Sequence, residues 1–129
     1  MDFSQFNHCL CIVDTKGSHA DLTDDYAAIP KEMKSVAEYF GKELLYQVDK
    51  TVFYNEIANI RKITGDRAVL RAMHWFEENT RVDEEVDMLE KGEFECFKTL
   101  VKKSGDSSFK YLQNVFSVKK AEEQKRCTN

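Results

Sequence analysis

The sequence has one proline and five glycines in 129 residues, and it has no long uninterrupted apolar stretch. So few turn-forming residues argue against a β-sandwich and against a collagen-like or linker composition. Without a run of about 18 apolar residues, no segment is predicted to span a membrane. The N-terminus has no basic segment followed by an apolar one, so we expect no secretory signal and a cytoplasmic location.

Charge of one sign is not in large excess. The 23 acidic and 19 basic residues give a formal net charge of −4, which argues against nucleic acid as a partner. Hydrophobic residues make up 42% of the chain, which is enough for a folded core. This length predicts a single domain.

Patterns typical of metal sites and catalytic sites are also missing. The four cysteines include one C-x-C pair, Cys9 and Cys11, whereas a zinc site would need two pairs at ligand spacing. The three histidines are scattered, and no glycine-rich phosphate loop occurs. We therefore predict no metal site, reduced thiols and no catalytic residue that spacing alone could identify.

One short apolar run near the N-terminus predicts β structure. Residues 9–13, within the stretch 3–15, form a continuous apolar segment, which is typical of a strand buried on both faces. A single strand cannot satisfy its own backbone groups. We therefore expect it to pair with residues 3–6 as a hairpin, or with a partner outside this chain.

Helical periodicity dominates the rest of the chain. After a loop, Thr23 is predicted to cap a helix, and Pro30 either separates two helices or kinks one. Apolar spacing predicts further helices over residues 31–40, 49–65, 66–89, 94–101 and 109–116. The predicted fold class is α+β and mainly helical, with a short N-terminal β element and about five antiparallel helices.

One stretch near the N-terminus resembles galactokinases of the GHMP small-molecule kinase superfamily. Residues 12–26 read IVDTKGSHADLTDDY. In that family an apolar strand ends in Asp-Thr or Asp-Ser, a loop with a histidine follows, and a tyrosine begins a helix. The matching positions here are Asp14, His19 and Tyr26.

Two later stretches resemble the same family in the same order. Residues 67–82 read RAVLRAMHWFEENTRV and are similar to its arginine-rich helix. Residues 89–97 read LEKGEFECF and are similar to its L-x-x-G-[DE]-[FY]-x-x-F pattern, which precedes a serine, here Ser104. The family often has Ser-His where this chain has Ser104-Gly105, which leaves the role of the second position open. The three matches span residues 9–112.

The resemblance implies a fragment of a longer enzyme that phosphorylates galactose at its anomeric hydroxyl with ATP and magnesium. In galactokinases the phosphate loop and the catalytic Asp and Arg precede the matching region, and a glycine-rich segment follows it. Residues 1–129 would then form a single partial domain that corresponds to part of the family's ferredoxin-like C-terminal domain. The phosphate-loop domain and the final strands would be absent. Alone, this chain is expected to be inactive and to bind no cofactor.

The resemblance also implies one candidate site residue. Tyr26 would contact a sugar hydroxyl, and His19, in the preceding loop, is a second candidate. The alternative for Tyr26 is a ring packed in the first helical turn with its hydroxyl in water. No catalytic, cofactor-binding or metal-binding residue is predicted in this chain.

Other functional interpretations stay open on the sequence alone. The alternative function is a non-catalytic sugar-binding or interaction module derived from the same kinase fold. Surface exposed by truncation would favour a homodimer. His74 is predicted to lie between packed helices, and the arginines are expected to form ion pairs rather than bind phosphate. The expected pairs join Arg67, Arg71 and Arg81 to Glu77, Glu84 and Glu85.

Overall fold

Four α-helices make up most of the computed structural model, which describes residues 3–14 and 22–115. They are α1 (Thr23–Tyr39), α2 (Lys50–Thr64), α3 (Asp66–Glu90) and α4 (Phe94–Ser107). Shorter helical turns lie at Phe3–Phe6, Leu45–Gln47 and Ser108–Leu112. No helix in these described ranges combines the length and hydrophobicity needed to cross a bilayer.

The boundaries of α2 follow from two residues that the sequence singles out. The Asp49 carboxylate accepts a hydrogen bond of 3.0 Å from the backbone N–H of Val52, which caps the helix. At the other end Gly65 has φ +89°, a conformation that favours glycine because it has no Cβ. Helix α3 begins directly after this glycine, so α2 and α3 are joined with almost no loop.

Helix α3 is the central element of the fold. It packs against α1, α2 and α4, and its buried residues line a core shared with α1 and α2. The Phe53 ring on α2 lies 4.9 Å from the Phe76 ring on α3. The buried apolar residues of this core are Val36, Ala37, Leu45, Val48, Phe53, Ile60, Ala68, Val69, Ala72 and Phe76.

The predicted N-terminal β element is wrong. Phe3–Phe6 forms a short 3₁₀ turn, and no strand occurs in residues 3–14 or 22–115. Leu10 and Ile12 are 78% and 95% exposed. An apolar run becomes a strand only when a second strand pairs with its backbone groups, and the described residues supply none. The described fold is therefore all-helical. It is neither the mainly helical α+β fold that the residue pattern predicted nor the ferredoxin-like fold that the resemblance implied. Thr15 lies outside the described residues.

Of the predicted helix boundaries, those of α4 and of the helix after it differ from the structure. Pro30 lies inside the single helix α1, which is one of the two alternatives that the sequence left open, and Met33 and Val36, both C-terminal to it, pack against the core. Helix α4 runs through Gly105 to Ser107 instead of ending near residue 101, and polar contacts of its last turn with α3 offset the cost of a helical glycine, about 1 kcal/mol. The predicted helix over residues 109–116 is a short π-helical turn, Ser108–Leu112.

Candidate functional site

Tyr26, the candidate sugar-binding residue, lies in the first turn of α1. Its side chain is about half exposed, so its ring is partly packed while its surface stays accessible to solvent. Two carboxylates, Asp24 and Asp25, share this turn and make this end of the helix acidic. His19, the second candidate, lies outside the described residues. Both roles therefore stay predictions.

An ion-pair cluster fixes α1 on α3. Glu32 of α1 accepts hydrogen bonds from Arg67 at 2.5 Å and from Arg71 at 2.9 Å. Arg71 is 3% exposed, and its Nε also donates to the backbone carbonyl of Leu112 at 3.0 Å. The hydrogen bond to Glu32 is the main cause that raises the pKa of Arg67. One carboxylate therefore holds two helices and, through Arg71, the Ser108–Leu112 turn.

A second polar network lies between α3 and α4. His74 Nδ1 lies 2.9 Å from the hydroxyl of Ser107, and both residues are buried. Ser104 donates to Glu78 at 2.6 Å, and Glu78 also pairs with Arg81. The predicted placement of His74 between packed helices is confirmed. The arginines do form ion pairs, but the predicted partners are wrong, since the acids are Glu32 and Glu78.

Burial of His74 predicts that the chain loses stability at mildly acidic pH. Burial, and secondarily the charge of Arg81, lower the pKa of His74 from its usual value near 6.5. Below about pH 6.5 His74 is protonated in the unfolded chain but stays neutral in the folded chain. The free energy of unfolding therefore falls with falling pH. This fall stops once the pH is below the folded pKa.

Urea unfolding between about pH 5 and pH 8 measures this effect, which amounts to at most about 1.4 kcal/mol per pH unit for one proton. His74→Asn keeps a polar partner for Ser107 but cannot titrate. In this variant the free energy of unfolding should therefore lose the part of its pH dependence that His74 contributes. Identical profiles for the two proteins would show that His74 is not held neutral by the fold.

Two further features connect α2 with α3. The Tyr54 hydroxyl donates a hydrogen bond to Glu77 at 2.7 Å. Burial is the main cause that raises the pKa of Tyr54 well above its usual value, and this hydrogen bond is the second.

An open groove of about 280 Å³ also lies between α2 and α3. Its lining is mainly apolar, which suits a sugar poorly, and Tyr26 does not contribute to it. The lining residues are Ile57, Arg61, Asp66, Val69, Leu70 and Met73.

No cluster of three or more potential metal ligands occurs in the part of the chain that the structure describes. The thiols of Cys9, Cys11 and Cys96 are unbridged and exposed. The Glu32 cluster was missed, because no local spacing pattern joins residues so far apart along the chain.

The chain is similar to two galactokinases. It is 30% identical over 101 residues to the galactokinase of Mannheimia succiniciproducens, a match that covers 78% of this chain and 26% of that protein. It is 28% identical over 98 residues to the galactokinase of Glaesserella parasuis, covering 76% of this chain and 25% of that protein. The chain thus spans about a quarter of the length of these curated relatives. No protein-family model matches it, and no solved structure matches it. These two matches support the predicted relationship of this chain to a part of galactokinases.

Proposed function

We propose that this chain is part of a GHMP-type sugar kinase that transfers a phosphoryl group from MgATP to the anomeric hydroxyl of galactose. The main support is the similarity to two galactokinases over about three-quarters of the chain. The proposed role of this part is to hold the sugar through Tyr26. The alternative is a non-catalytic sugar-binding module, which would have to fold by itself; the fully buried Phe53 and Ile60 give the described helices a core of their own.

In this proposal the groups that handle phosphate belong to the rest of the enzyme. Phosphoryl transfer needs donors that surround the phosphates and carboxylates that hold magnesium. The arginines of α3 are engaged instead, since Arg67 and Arg71 pair with Glu32 and Arg81 pairs with Glu78. We therefore expect the chain alone to be inactive towards ATP.

The placement of Tyr26 suits a neutral, hydroxyl-rich ligand. A phenol hydroxyl can donate and accept a hydrogen bond, as recognition of a sugar hydroxyl requires. Asp24 and Asp25 in the same turn disfavour an anionic phosphate but can accept hydrogen bonds from sugar hydroxyls. The Glu32 cluster, two turns further along α1, holds this helix on α3 and so limits movement of the phenol.

Tyr26→Phe tests the proposal. The assay uses a chimera of the Mannheimia succiniciproducens galactokinase in which the matched stretch is replaced by this chain. Loss of one hydrogen bond, about 0.5–1.5 kcal/mol, should raise the KM for galactose roughly 2- to 10-fold and leave the KM for ATP unchanged. Tyr46→Phe, at a tyrosine that is 68% exposed in the Leu45–Gln47 turn, is the matched control.

Equal KM values for galactose in Tyr26→Phe, Tyr46→Phe and the unchanged chimera would remove Tyr26 from the site.

A calorimetric titration of the isolated chain with galactose distinguishes the kinase function from the non-catalytic sugar-binding module. Heat of binding that Tyr26→Phe abolishes, together with an inactive chimera, would favour the binding module.

A further inference from the structure

Two thiols lie in contact on the exposed N-terminal segment. The Sγ atoms of Cys9 and Cys11 are 3.6 Å apart, and both residues are exposed. Residues 9–13 lie outside any helix, so no helical hydrogen bonds restrain the backbone between the two sulfurs. Nothing in the proposed kinase function uses this pair.

The residues just before the thiol pair are anchored on α4. The Phe6 ring stacks on the Phe94 ring at 4.8 Å, and the His8 ring lies 4.4 Å from the same Phe94. His8 Nδ1 lies 2.6 Å from the carbonyl oxygen of Phe6, and because a carbonyl only accepts, this nitrogen is the donor. The turn ends at Asn7, with φ 56°. The thiols therefore follow a fixed turn and project from it into solvent.

We propose that Cys9 and Cys11 form a thiol–disulfide exchange site that reacts with small-molecule disulfides such as oxidised glutathione. The thiolate of one cysteine attacks the glutathione disulfide, forms a mixed disulfide and releases one glutathione. The second thiolate then attacks the protein sulfur, closes the Cys9–Cys11 disulfide and releases the second glutathione. The two protein thiols are oxidised, one glutathione disulfide is reduced to two thiols, and the protein thiol protons go to the two products.

The geometry favours closure but also easy reopening. A disulfide bond is about 2.0 Å long, so the sulfurs must approach each other by about 1.6 Å, which side-chain rotation and the irregular backbone can supply. A ring that joins two cysteines separated by one residue is small and strained, and strained, exposed disulfides are the ones that are readily reduced. The proposed site therefore cycles between the two states and is not a permanent bridge.

Cys96 provides an internal comparison. It is an exposed thiol on α4, and in residues 3–14 and 22–115 no second cysteine is in contact with it. Its reaction with oxidised glutathione should therefore stop at the mixed disulfide. Cys127, outside the described residues, is replaced by serine in every protein used for the test.

The test is to incubate the chain with mixtures of oxidised and reduced glutathione, quench with acid, alkylate the remaining thiols and map the peptides by mass. We expect the peptide with Cys9 and Cys11 to lose two hydrogen atoms without adding glutathione, while Cys96 adds glutathione. In Cys9→Ser and Cys11→Ser the remaining thiol should accumulate at least about tenfold more mixed disulfide, because the intramolecular second step is lost. Cys96→Ser should leave closure unchanged.

Three outcomes would overturn the proposal. They are stable glutathione adducts on both Cys9 and Cys11, disulfide-linked dimers as the main product, and adduct levels at the pair equal to those at Cys96. The readout is independent of kinase activity, so its failure would not affect the proposed function.

Discussion

Replacement of Phe53 by alanine is expected to lower the free energy of unfolding by about 3–5 kcal/mol. Phe53 is fully buried, and its ring contacts those of Phe76 and Tyr54 at 4.9 and 5.2 Å. Truncation leaves a cavity between α2 and α3 that tightly packed helices cannot fill. Since small domains have only about 5–15 kcal/mol of stability, the variant should be marginally folded.

Urea unfolding followed by circular dichroism measures this loss. Phe109→Ala is the matched control, because Phe109 is 62% exposed and its loss should change stability by less than about 0.5 kcal/mol. If the two substitutions cost the same, the core is not centred on the contact between α2 and α3.

Removal of the Glu32 carboxylate is expected to destabilise the fold almost as strongly, with a loss of about 2–4 kcal/mol for Glu32→Ala. Arg71 is almost fully buried, so without Glu32 its charge keeps, among the described residues, only the carbonyl of Leu112 as a partner. Arg67 loses little because it is half exposed and water can replace the carboxylate.

Glu38→Ala is the control for this prediction. Glu38 forms an exposed pair with Lys34 at 3.8 Å, and its removal should cost less than about 0.5 kcal/mol. Arg71→Met in the Glu32→Ala background removes the buried charge that has lost its carboxylate partner. This second substitution should recover part of the lost free energy of unfolding. A Glu32→Ala protein as stable as Glu38→Ala would contradict the assigned role of the cluster.

The helices were predictable where local chemistry determines them. The Asp49 cap and Gly65 mark both ends of α2, and apolar periodicity follows the buried side of α3, including the position of His74. The β element was not predictable from its composition, because a strand depends on a partner and residues 9–13 have none among the described residues.

The sequence also failed to predict ion pairs between residues far apart in the chain. Arg67 and Arg71 were assigned to nearby acids, whereas their partner Glu32 lies 35 and 39 residues away in the chain. Helical spacing compares residues within one helix and cannot identify an acid on another helix. Tyr26 was suggested only by resemblance to galactokinases, because an isolated tyrosine has no spacing pattern of its own.

The most direct test of the proposed function is galactose-dependent ATP turnover by the Mannheimia succiniciproducens galactokinase in which the matched residues are replaced by this chain. Circular dichroism and a cooperative melting transition establish first that the chimera is folded. The account predicts that the chimera phosphorylates galactose and that the isolated chain does not. A folded chimera without galactose-dependent turnover, or an isolated chain that turns over ATP when galactose is added, would contradict it.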